Sequence, residues 1–172
     1  MKRCLAILLL VVWAAWAQVG LGAYMDQTDA RLRSADLDSV RWVQRMQAAP
    51  GDPVTGSLCS EQLAKIWSVA VADVHKISAP PEASAYKTTL DKLMNARYEC
   101  FSNMHFSMNK VVEYQRKVAD LKARRMSDEG IEQNTRLDKE LLLKGQKDLT
   151  DQEALVSKLA QELATERLRL GR

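Results

Sequence analysis

The run PEASAYKTTLDKLMNARYECFSNMHFSMNKVVEYQRKVADLKARRM, residues 81–126, holds no glycine and no proline after its first position. So long a stretch without a breaker predicts one helix, with Pro81 in its first turn and Glu82 complementing the dipole there. Its seam runs through Leu90, Met94, Arg97, Phe101, Met104, Met108, Val111, Gln115 and Val118, in alternating steps of four and three. Lys122, Arg124 and Arg125 gather at its end, where cations suit the dipole. Only other helices can bury such a stripe along its length, and the class of fold follows as all-α.

Downstream, Ser127-Asp128-Glu129-Gly130 reads as a break with Ser127 as N-cap. Leu142, Leu149, Val156, Leu163 and Leu170 then recur at an unbroken interval of seven, while Gly145, Gln152, Leu159 and Glu166 fill the complementary row. One row is consistently apolar and the other is not, which predicts packing on neighbouring helices. Thr150-Asp151-Gln152-Glu153 has the form of a capping box, but the unbroken heptad predicts one helix across it.

Upstream, Asp26 to Ala49 predicts a helix with Leu32, Leu37, Val40, Val43 and Met46 inward. Ala49 to Gly56 collects two Pro and two Gly and reads as a loop. Ser57 or Ser60 is expected to cap the next helix, whose stripe is Leu63, Ile66, Trp67, Ala70, Val71, Val74 and Ile77. Trp42 and Trp67 are expected to anchor the core. The predicted architecture is an antiparallel helical bundle, or long helical hairpin with coiled-coil character, stapled by one disulfide. Its helices lie near 26–49, 58–78, 81–126 and 131–170, in a single helical domain spanning 24–172.

Residues 1–23 read as a signal peptide. Lys2-Arg3 is followed by an apolar run from Leu5 to Ala17 and small residues at Ala15, Ala17, Gly20, Gly22 and Ala23. Retained, the same segment would be long enough for a membrane anchor; either way the rest is expected to be extracytoplasmic, in the periplasm or secreted. Removing Lys2 and Arg3 turns 25 basic against 22 acidic residues into 23 against 22. So balanced a chain has no general electrostatic case for binding nucleic acid. Residues 79–126 carry nine basic and five acidic side chains, and 127–172 carry eight and ten, which suggests that these two segments dock on each other.

Past the signal two cysteines remain, Cys59 and Cys100. In an oxidising compartment two cysteines usually pair. A hairpin turning between Ala79 and Pro80 would bring them to equal height and predicts a disulfide, the alternative being a reactive thiol at Cys59. The same geometry sets His75 near the turn and His105 far along the next helix, too far apart to share a metal or haem.

Met104, His105 and Met108 form the one cluster with the donors for copper or haem. The rival explanation is that Met104 and Met108 fill the core. No Gly-x-Ser-x-Gly, His-Glu-x-x-His, phosphate loop or dinucleotide fingerprint occurs, and no enzyme is expected. The expected function is therefore an exported, non-catalytic interaction or scaffold protein of the cell envelope with a protein partner and no cofactor. The alternatives are a small copper- or haem-binding protein and a membrane-anchored sensor or assembly subunit.

Overall fold

Composition and breakers leave the chain four long helical runs, and the computed structural model contains four helices among its described residues. They are α1 (Lys2–Ala48), α2 (Pro53–His75), α3 (Ser84–Ala123) and α4 (Asp128–Arg169), with a 3₁₀ turn at Pro81–Ala83 between α2 and α3. The backbone is described from residue 2 to 171 and side chains from residue 20 to 171, and no strand occurs among the described residues. Most of the expected signal, residues 1–23, lies outside the described side chains. Each helix packs against the next in the chain.

The loop before α2 is four residues shorter than its Pro and Gly content suggests. Gly51 takes the left-handed conformation, φ 81°, that L side chains avoid. Asp52 then caps α2, accepting from the amides of Val54 and Thr55, and Pro53 occupies the first turn, where its missing N–H costs nothing. Neither Ser57 nor Ser60 is the cap. Both are buried inside the helix, and Ser60 Oγ donates back to the Gly56 carbonyl at 2.7 Å. The end of α3 closes with the Met126 amide on the Leu121 carbonyl at 3.1 Å, leaving Arg125 left-handed at φ 58°. Ser127 caps α4 as expected, accepting from the Gly130 amide at 3.2 Å.

Register between α2 and α3 follows from side chains that meet across the hairpin. Ser57 meets His105, Gly56 lies against Met108, Arg97 stacks on Trp67 and His75 faces Asp91, so facing numbers add to 162–166. The pivot is thus the 3₁₀ turn at Pro81–Ala83, not the Ala79–Pro80 bond. That shift corrects the expected disulfide: Cys59 and Cys100 add to 159, about five residues out of step, or ~7 Å along the axis. A disulfide rarely tolerates Cα atoms more than about 7 Å apart even without the distance between helix axes. Both thiols are free and buried.

Along α4 every position of the two interleaved rows from Leu142 to Leu170 is at least partly sheltered, Leu159 most of all. The helix runs unbroken through the capping-box sequence, where Thr150 Oγ1 donates to the Gln146 carbonyl at 3.1 Å. α1 departs from its expected stripe. Leu37 is 73 % exposed, while Thr28, Asp29, Ala35 and Ser39 are buried. Small residues hold the inward positions here, and Ser39 satisfies its hydroxyl on the Ala35 carbonyl at 2.7 Å. Trp67 is buried as expected, but Trp42 is only half-buried, flanked by the guanidinium groups of Arg41 and Arg45.

An acid–arginine pair ties α1 to each of the others: Arg31–Asp73 to α2, Asp36–Arg97 to α3, and Asp29–Arg167 to α4. These pairs place all four helices side by side between the turn and about residue 110 of α3. The main core lies there, built on Met25, Leu63, Trp67, Tyr86, Leu90 and Met94. Beyond it α1 and α2 have ended, and residues 111–123 and 128–142 continue as a two-helix arm about 20 Å long. Ile131 and Thr135 are the buried residues of that arm.

Candidate functional site

The cluster singled out by its donors is divided by the fold. Met108 packs its sulfur against Gly56, 3.1 Å from where a β-carbon there would stand, whereas Met104 turns toward a cleft among the helices. His105 lies against the first turns of α2. Its Nδ1 is 2.9 Å from the Ser57 carbonyl oxygen and 3.1 Å from Ser57 Oγ, and its Nε2 is 3.2 Å from Asn109 Nδ2. Ser57 Oγ donates to Asn109 Oδ1 at 2.7 Å.

One tautomer satisfies all of these groups: Nδ1–H donates to the Ser57 carbonyl, and Nε2 accepts from the Asn109 amide. Both ring nitrogens are then occupied, and a metal would have to displace Asn109. Nor can His105 activate Ser57, because a base needs a lone pair directed at the hydroxyl it deprotonates. The arrangement is a polar clamp holding the start of α2 to α3.

His75 lies at the other end of the hairpin, with Nε2 3.4 Å from Asp91 Oδ1. Lys87 Nζ shares the same carboxylate. Measured along α3 this pair stands about 14 residues from His105, roughly 21 Å, so the two histidines serve separate surroundings. Burial, with Asp91 and Tyr86 adding, pushes the neighbouring Tyr24 hydroxyl up to about 12. That hydroxyl is buried without a hydrogen-bond partner.

A concavity opens among residues of all four helices. It has a volume of about 570 Å³, within the range of small-molecule sites. Trp67, Arg97, Cys100, Phe101 and Met104 line it from α2 and α3; Asp36, Ser39, Val40, Val43 and Gln44 do so from α1; Glu153 and Val156 complete it from α4. Its walls are chiefly apolar with a few polar groups. Arg97 donates to Asp36 at 3.0 Å and lies 4.5 Å over the Trp67 ring, which consumes its charge and one face of the indole. Burial, and then the Glu153 carboxylate, push the Cys100 thiol up, which keeps it protonated and unreactive near neutrality. Glu153 itself has neither an ion pair nor a hydrogen bond.

The spacing placed Arg97 on the seam of α3 but gave no reason to join it to Asp36, Gln44 or Glu153. Those residues lie on other helices and become neighbours only through register. Among the described residues no three His, Cys, Asp or Glu side chains converge as metal ligands would, and no helix is long and apolar enough to cross a membrane. Compared with protein-family models, curated proteins and solved structures, the chain matches none.

Proposed function

We propose that the chain is an exported, non-catalytic helical interaction or scaffold protein of the cell envelope, and that it engages a protein partner through its two-helix arm. The observation that carries this reading is the apolar surface at and beside the arm: Phe106 is 61 % exposed, Leu137 and Leu143 are each 68 % exposed, and Leu141 is 55 % exposed. Two antiparallel helices cannot bury both flanks of their shared seam. A third amphipathic helix, supplied by a partner, would cover Leu137 and Leu141 as coiled-coil partners do. The export half of the proposal rests on the charge and apolar pattern of residues 1–23.

Affinity capture from envelope extracts tests the reading, with the full chain compared to a Leu137→Glu/Leu141→Glu variant. A specific partner held by the native chain and lost by the variant supports it. Retention of the same partner by the variant, or failure to recover any specific partner, overturns it.

A further inference from the structure

We infer that the four-helix cleft is a binding site for an amphipathic monoamine, a molecule with an aromatic or branched apolar body and one protonated amino group. Shape and lining supply the first half of the argument. The cleft holds about 570 Å³, and Val40, Val43, Phe101, Met104 and Val156 turn apolar surface into it without closing it. A ligand that displaced water from those side chains would gain the free energy of covering their apolar surface.

Charge supplies the second half. Three charged side chains line the cleft, and two cancel: Arg97 is spent on Asp36 at 3.0 Å and on the Trp67 ring. Glu153 remains as a carboxylate without a partner at the exposed side, carrying the net charge of the site. A carboxylate ligand would meet repulsion from Glu153 and would need to break the Arg97–Asp36 pair. An ammonium group meets the opposite field and breaks nothing. With the apolar body inside, the ammonium would lie at the mouth beside Glu153, where it keeps part of its hydration.

Titration with dansylcadaverine and with ε-dansyl-aminohexanoate, matched probes differing chiefly in an amine or a carboxylate head, tests the inference on the full chain. Fluorescence should show saturable one-to-one binding of the amine, with the acid about tenfold weaker or worse. Glu153→Gln should weaken the amine by about fivefold and narrow the gap between the two probes, in line with a partly exposed ion pair. Val156→Trp, which fills the cleft, should abolish the binding of both while circular dichroism remains unchanged. Equal or tighter binding of the acid, amine binding indifferent to Glu153→Gln or surviving Val156→Trp, or no saturable binding of the amine would each overturn it.

Discussion

The two ends of the long α3–α4 pair are built from the same kind of helix yet are held by different forces. Toward the 3₁₀ turn, α1 and α2 cover the pair, and Leu63, Tyr86, Leu90 and Met94 lose almost all contact with water. Beyond residue 110 the pair stands alone, with caps, the Lys117–Asp138 bridge at 2.7 Å and a small core at Ile131 and Thr135. Helix propensity alone does not distinguish these ends. Coverage does, because most helical stability in proteins comes from tertiary packing of an apolar face. The packed end therefore supplies stability and a cleft, while the arm leaves Leu137 and Leu141 exposed on a helix pair that no third helix covers.

The sharpest way to break this contrast is truncation on each side of it. Leu90→Ala, at a fully buried position, should cost about 2–5 kcal/mol in denaturant unfolding. Leu137→Ala in the arm should change stability by no more than about 0.5 kcal/mol. Comparable costs at both sites would erase the distinction. Hydrogen exchange should rank the same way, with amides of 112–122 and 132–142 opening at much lower free energy than those of 86–100.

Alkaline pH sharpens the contrast from the packed end. Because the folded state raises the Tyr24 hydroxyl from its ordinary 10 to about 12, the native chain retains a proton that the unfolded chain has released. The contribution is complete below pH 10 and disappears as pH rises toward 12. Tyr24→Phe should reduce that alkaline fall in melting temperature, burial of the Tyr86 hydroxyl leaving part of it in place, and change stability near neutrality by less than about 1 kcal/mol. A fall that persists unchanged would assign it elsewhere.

Two smaller effects probe the arm. Arg125 occupies a left-handed position, φ 58°, where helices usually end on glycine. Arg125→Gly should stabilise by up to about 1 kcal/mol and raise the melting temperature by a few degrees. Lys117→Ala should cost less than about 1 kcal/mol, and less again at high salt, because its bridge to Asp138 is solvent-exposed.

Periodicity and breakers made the helical class legible, and they did so best where the pattern was longest: the sheltered rows of α4 and the Ser127 cap follow directly from spacing. They failed where small or polar residues hold inward positions. Ala35 and Ser39 bring α1 close to its neighbour without an apolar signature, so Leu37 and Val40 looked like the better core. Asp52-Pro53 was a helix start, although the neighbouring Gly and Pro gave the segment the look of a loop. The hairpin register could not be read from the position of the prolines, because the 3₁₀ turn moves the pivot by about two residues and the facing pairs by about five. The cleft was invisible for the same reason: Asp36, Arg97 and Glu153 belong to three helices and share a height only once register is known.

That register carries the account, and the thiols report on it. Full-length chain incubated with oxidised glutathione and then mapped by peptide mass spectrometry without reductant should show no peptide joining Cys59 to Cys100. A linked Cys59–Cys100 peptide, formed without loss of helicity, would mean that the hairpin pivots elsewhere and would dissolve the cleft with it.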